Sequence, residues 1–196
     1  KSDSLLSTRK VRQPINGEGD IQTAFDGITY QKGAAVLAMF EHWVGEERFR
    51  AGMRDYLAKR KFGSGSSDDL IATLSAASGK GEHFAKAMRS FLDQPGVPLV
   101  QTTLSCRSEK ARLDLHQQRY LPYGVMAGES STWDVPVCVR FGRGKTMDSQ
   151  CFLLDKAEAS FDVEGSCPDW YLPNADARGY YRFEMDKPDL ARLAAA

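Results

Sequence analysis

Apolar residues change their spacing near residue 95, and the change divides the chain into two halves. Before it, Val36, Leu37, Phe40, Trp43 and Val44 recur three and four residues apart, the interval of one helix face. This spacing predicts a helix that starts near Thr29 and is stopped by Gly45. Pro14 with Gly17 and Gly19 reads as an irregular lead-in to it. A second helix is expected from Glu46-Glu47 to Lys59-Arg60-Lys61, with acid at its start and base at its end as the macrodipole favours. Phe49, Met53, Tyr56 and Leu57 form its expected buried stripe. Gly63-Ser64-Gly65 breaks the chain. Ser67 is the expected cap of a third helix that turns Leu70, Ile71 and Leu74 inward and ends at Gly79. A fourth helix is expected to bury Phe84, Met88, Phe91 and Leu92.

Beyond the linker Gln94-Pro95-Gly96-Val97-Pro98 the period becomes two. Val100, Thr102, Leu104 and Cys106 alternate with polar residues, as do Ala111, Leu113 and Leu115. Trp133, Val135, Val137, Val139 and Phe141 give the clearest strand. Further short strands are expected near 147–154, 158–163, 169–172 and 179–185. Several short strands with turn residues between them predict a small antiparallel β-sandwich. The expected fold class is therefore α+β with more than one domain.

The chain has four cysteines, Cys106, Cys138, Cys151 and Cys167, all in the strand-rich half. None forms a C-x-x-C pair, which argues against a structural zinc site. Two disulfides or buried free thiols both suit this placement. If Cys138 faces Cys151, antiparallel register makes Gly144-Lys145 the two-residue turn, with glycine where a type II′ turn requires it. The same register sets Val137 opposite Phe152. A Cys138–Cys151 disulfide is expected on this ground, and Cys106–Cys167 by elimination. Such bonds imply a periplasmic or extracellular location, with the cytoplasm as the alternative if the thiols are free.

Hydrophobic residues make up 42% and charged residues 27% of the 196 residues, enough apolar material for a core. Basic and acidic side chains balance to zero net charge, so a general nucleic-acid binder is not expected. No apolar run is long enough for a transmembrane helix. The chain opens on Lys1-Ser2-Asp3-Ser4, without an initiator Met or a visible signal peptide. It is expected to be a fragment or a processed product. Its end, Leu193-Ala194-Ala195-Ala196, reads as the opening of a further helix.

One stretch carries candidate chemistry: Ala24-Phe25-Asp26-Gly27-Ile28-Thr29-Tyr30-Gln31-Lys32-Gly33-Ala34-Ala35. A phenol in the first turn of a helix sits beside unpaired backbone N–H groups and the positive dipole end. It can donate a hydrogen bond to a developing oxyanion. Taken alone, such a tyrosine is more often a packing residue. The segment resembles the F-D-x-I-x-Y-x-K-G-A signature of the aminopeptidase N family, the gluzincin zinc metallopeptidases. Other pieces are similar to the family in the same order: Ser7-Thr8-Arg9 through Pro14-Ile15, Gly45 to Gly52, Ser67-Asp68-Asp69-Leu70, Gln94 to Pro98, Arg119-Tyr120-Leu121-Pro122, Trp133 to Val137, and Gly179 to Phe183.

The resemblance implies that residues 1–94 are the helical end of a thermolysin-like catalytic domain. It implies that 95–186 are the β-sandwich domain and that 187–196 start a further helical domain. It also implies that Tyr30 is the catalytic residue that stabilises the tetrahedral intermediate, in an enzyme that removes N-terminal residues from peptide substrates with zinc as cofactor. Lys32 is kept in the family pattern, has no evident chemical task, and is expected to form a structural ion pair.

The zinc motif H-E-x-x-H, the distal Glu ligand and the G-x-M-E-N substrate loop are missing from the chain. In the family these lie upstream, so the resemblance implies truncation. No metal ligands are expected here, and the chain alone is expected to be inactive. The histidines, His42, His83 and His116, are read as structural or solvated. Ser64-Gly65-Ser66 is a loop and not a nucleophile elbow. Gly142-Arg143-Gly144-Lys145 is a hairpin turn and not a phosphate loop. Asp68-Asp69 are helix N-terminal acids, and Tyr180-Tyr181-Arg182 is an aromatic strand. A standalone, non-catalytic β-sandwich binding module is the rival reading.

Overall fold

The computed structural model describes residues 2–108, 110–125 and 131–196. Its helices come first: α1 (Glu18–Ala24), a π-helical turn (Ile28–Lys32), α2 (Gly33–Val44), α3 (Glu46–Lys59), α4 (Ser67–Ser78) and α5 (Glu82–Leu92). The strands follow: β1 (Pro98–Arg107), β2 (Lys110–Arg119), β3 (Val135–Arg143), β4 (Thr146–Leu154), β5 (Glu158–Val163), β6 (Trp170–Leu172) and β7 (Arg182–Met185). A last helix, α6 (Lys187–Ala194), closes the sequence. The fold is α+β, helical first and a two-sheet sandwich second.

The helices close around aromatic rings. Phe40 meets Phe84 edge-on at 5.1 Å and Phe91 at 6.2 Å, and Trp43 stacks on Phe84 at 6.2 Å. Such offset and edge contacts add to the apolar area these rings bury. Three expectations need correction here. The lead-in is not wholly irregular, because α1 forms within it; Glu18 and Asp20 lie in its first turn, where the macrodipole favours acid. The cap of α4 is Ser66, not Ser67: Ser66 Oγ accepts from the Asp69 N–H at 3.1 Å, and the Asp69 carboxylate accepts from the Ser66 N–H at 2.9 Å, a reciprocal capping box. The expected stripe of α3 is only half-buried, and Leu57 is 62% exposed. That helix approaches α4 through Gly52, where an added Cβ would lie 2.9 Å from Leu74 Cδ2. Its closest contact thus turns on a residue without a side chain, to one side of the apolar stripe.

The sandwich has a four-stranded sheet, β5-β2-β1-β7, and a three-stranded sheet, β4-β3-β6. The first sheet is mixed and not purely antiparallel, since β7 runs parallel to β1, pairing Leu99 with Arg182 and Thr102 with Met185. Val100, Leu113 and Leu115 from one sheet and Val135, Val137, Val139 and Phe141 from the other are fully or nearly fully buried. Gln117 is buried among them, and its amide is satisfied by the backbone. It donates to the carbonyls of Trp133, Leu154 and Lys156 and accepts from the Trp133 N–H at 2.9 Å. In the β3–β4 hairpin Cys138 faces Cys151 and Val137 faces Phe152. Gly144 in its turn has φ of 56°, while Lys145 is not left-handed, the sign pattern of a type II′ turn. Cys138 is disulfide-bonded to Cys151, and Cys106 to Cys167.

One apolar cluster runs through both halves, and α2 packs against β3. Helix α6 docks on the sandwich through Asp189, which is buried and accepts from the Tyr171 hydroxyl at 2.8 Å. Burial pushes the Tyr171 phenol above its usual range, and Asp189 adds to the shift. No described helix is long and apolar enough to cross a membrane.

Candidate active site

Tyr30 sits in the middle of the π-helical turn that leads into α2. Asp26 sets the start of that turn. Its Oδ1 accepts from the Ile28 N–H at 2.8 Å and the Thr29 N–H at 3.1 Å, and its carbonyl accepts from the Tyr30 N–H at 3.0 Å. Arg9 reaches across from the lead-in. It pairs with Asp26 at 2.5 Å and donates to Thr29 Oγ1 at 2.9 Å and to the Ala24 carbonyl at 3.4 Å. Partial desolvation raises the Asp26 carboxyl, but the two backbone donors and Arg9 outweigh it and hold the group below its usual range. At the other end of the turn the Gly33 N–H donates to the Ile28 carbonyl, five residues back. That spacing defines a π turn, a device common at functional sites.

The Tyr30 side chain points outward and is 60% exposed. Its ring lies 6.2 Å from that of Phe25, which is also exposed. Among the described residues none hydrogen-bonds the Tyr30 hydroxyl, so the phenol is available to a ligand oxygen. One point of the sequence reading changes. The N–H groups of Ile28 and Thr29 are not unpaired, because Asp26 takes both. A ligand oxygen at this position meets the hydroxyl and not a bare helix terminus.

Lys32 points the other way and is 2% exposed. Its Nζ lies 3.0 Å from Asp3 Oδ2 and donates to the carbonyls of Gly96 at 3.0 Å and Gln94 at 3.3 Å. The Tyr180 ring stands 5.7 Å from the ammonium, and the Tyr180 hydroxyl donates to Asp3 Oδ2 at 2.8 Å. Asp3 Oδ1 accepts from Thr8 Oγ1 and the Gly96 N–H. Burial lowers the Lys32 pKa, with Asp3 acting against it; burial raises that of the Tyr180 phenol, and Asp3 adds to it. The ion pair foreseen for Lys32 is present, and its partners Asp3 and Tyr180 were not foreseen. Asp26 had a readable signal, an acid just before a helix start. Asp3 and Arg9 had none, since their partners are distant in sequence.

The histidines stand apart. His42 lies on α2 beside Glu41, Glu46 and Arg178, around a surface hollow of about 410 Å³. His83 lies in the first turn of α5, and His116 on β2 shares a 2.9 Å hydrogen bond with Gln101 Oε1. Among the described residues no group of three or more His, Cys, Asp or Glu is arranged to hold a metal. The described residues therefore do not fit the zinc that the resemblance implies.

Comparison with known proteins bears on this turn and its surroundings. The peptidase family M1 domain matches residues 1–94, which contain the whole Tyr30 turn and both of its ion pairs. The alanine/arginine aminopeptidase of Saccharomyces cerevisiae is 31% identical over 192 residues, 98% of this chain and 21% of that protein. Residues 1–94 belong to peptidase family M1. Two further relatives, aminopeptidase M1 of Arabidopsis thaliana and the human thyrotropin-releasing hormone-degrading ectoenzyme, are each 30% identical. They cover 99% and 94% of this chain, and 22% and 18% of their own lengths. The chain thus spans about a fifth of the length of these relatives.

Proposed function

We propose that this chain is part of a zinc aminopeptidase that removes N-terminal residues from peptides, and that Tyr30 is its oxyanion donor. The observation that carries the reading is the Tyr30 turn: an exposed phenol on a turn held by Arg9 and Asp26 on one side and by Lys32 on the other. When a nucleophile adds to a peptide carbonyl, negative charge collects on the carbonyl oxygen. A preplaced hydroxyl donor stabilises that charge more than the neutral ground state. Similarity to aminopeptidases along nearly the whole chain supports the reaction class.

In this reading residues 1–94 belong to the catalytic domain, 95–186 form the β-sandwich domain, and 187–196 begin a further helical domain. Zinc enters only as a cofactor of the longer protein, bound by residues outside this chain, so the chain alone is inactive. The two disulfides support a periplasmic or extracellular location.

The test is Tyr30→Phe in the full-length protein. The substitution removes one hydroxyl and little volume. The expected result is a loss of about 10²–10³ in kcat, as for other single oxyanion donors, with KM nearly unchanged. Zinc content and helicity should match those of the original. A variant that retained kcat within about threefold would leave Tyr30 a packing residue.

A further inference from the structure

We infer that Lys32 is a positioning residue for Tyr30, fixing the height and rotation of the catalytic turn from behind. This rests on the reading of Tyr30 as the oxyanion donor. The two residues share one short turn and point in opposite directions, Tyr30 to solvent and Lys32 into the protein. The Lys32 ammonium has three N–H donors, and it meets three oxygens: Asp3 Oδ2, the Gly96 carbonyl and the Gln94 carbonyl. These come from two segments, the lead-in and the linker to the sandwich. Tyr180, next to β7, closes the group from the sandwich side.

An aliphatic side chain would fill the same space without desolvating a charge. It would also tolerate sliding of the turn, because apolar contact is non-directional. A buried ammonium does not, since each donor needs its acceptor within hydrogen-bond reach. The lead-in also supplies Arg9, which grips the outer side of the same turn through Asp26. The turn is therefore held from both sides, and its position is referred to the linker and the sandwich. Catalysis by a fixed donor is sensitive to displacements of this kind.

The experiment is a double-mutant cycle in the full-length enzyme, with Lys32→Met and Tyr30→Phe alone and together, read by steady-state kinetics. With the tyrosine in place, Lys32→Met should lower kcat by about tenfold with KM within about twofold, the pattern of an interaction made only in the transition state. In the Tyr30→Phe background the same change should cost less than about twofold, because the donor that Lys32 positions is already gone. A general structural role would lower kcat by the same factor in both backgrounds, and that result overturns the inference. So does an unchanged kcat in Lys32→Met.

Lys32→Met strands the Asp3 carboxylate in the core. The neutral pair Asp3→Asn with Lys32→Met leaves no lone charge there, and it replaces the single variant if that one unfolds. Tyr180→Phe, which removes only the hydroxyl bonded to Asp3, should show the same non-additivity with a smaller loss. If Tyr30→Phe itself retains full kcat, the oxyanion reading fails first. If Tyr30→Phe is impaired and Lys32→Met is additive with it, only the positioning role fails.

Discussion

The helices over 18–92 and the strands over 98–185 bury similar apolar side chains but place their ionisable groups differently. In the helical half, carboxylates cap helix starts near the surface. Asp26 holds the Tyr30 turn. Asp68 pairs with Arg12 at 2.9 Å, and Asp69 completes the box at the start of α4. All three are held below their usual range. In the strand half the groups with displaced protonation are the buried phenols Tyr171, Tyr180 and Tyr181, all pushed up chiefly by desolvation. The same half carries both disulfides. A helix leaves polar backbone groups at its ends, and short acids satisfy them at the surface. A sandwich satisfies its backbone between strands, and polar side chains such as Gln117 and Tyr171 enter its core with hydrogen-bond partners of their own.

The disulfides give the largest test of this contrast. Cys106–Cys167 closes 61 residues and ties the end of β1, in one sheet, to the segment before β6, in the other. Cys138–Cys151 closes 13 residues between strands that are already hydrogen-bonded. By loop entropy, serine at both ends of the first should cost about 4 kcal/mol, and of the second about 3 kcal/mol. Denaturant titration gives the total, and native-state hydrogen exchange its location. Protection should fall across β1 to β7 and hold in α2 and α5. Equal loss in both halves would show that the core shared by α2 and β3 joins them into one cooperative unit.

Much of this contrast was legible in the sequence, and the part that was not has a physical cause. Phe40, Trp43, Phe84, Phe91 and the alternating valines of β3 announce their element by period alone, because burial imposes the period. The β3–β4 register follows from Gly144-Lys145, since the turn fixes which residues face each other. Helix α1 was hidden by Gly17 and Gly19, which weaken any helical reading. The strand expected near 179–185 forms as β7 over only four residues, exposed except at Met185, and its parallel pairing with β1 has no local signal. At the candidate site Tyr30 was found by its neighbours in sequence. Its supports, Asp3, Arg9 and Tyr180, come from other segments, and no local pattern marks such a meeting.

Titration sharpens the comparison from both ends of the pH scale. Stability from Asp26, Asp68 and Asp69 is fully present above the ordinary aspartate value of 3.8 and is lost as pH falls below it. Stability from Tyr171, Tyr180 and Tyr181 is fully present below the ordinary phenol value of 10.0 and is lost as pH rises above it. Acid should therefore loosen the helical half first, and peptic cleavage at falling pH should begin within 18–92. In base, three of the seven tyrosines should resist ionisation until the sandwich opens. An absorbance titration in which all seven ionise together, before any loss of strand signal, would contradict the phenol assignment.

The smallest expected effect separates two adjacent serines. Ser66 Oγ accepts the Asp69 N–H, one of the donors at the start of α4 that has no partner within the helix. Among the described residues Ser67 Oγ accepts only from Arg12, at 3.2 Å on the exposed side. Ser66→Ala leaves that N–H to water and removes half of the reciprocal box, and should cost about 1 kcal/mol. Ser67→Ala removes one surface contact and should stay within about 0.5 kcal/mol. Both changes lie in the helical half, so neither should alter protection in β1 to β7. The midpoint of denaturant unfolding for the two variants decides between the caps. A larger loss for Ser67→Ala would return the cap to Ser67, where the sequence alone had placed it. It would also mean that the short surface acids of this half do less for its helix starts than their geometry implies.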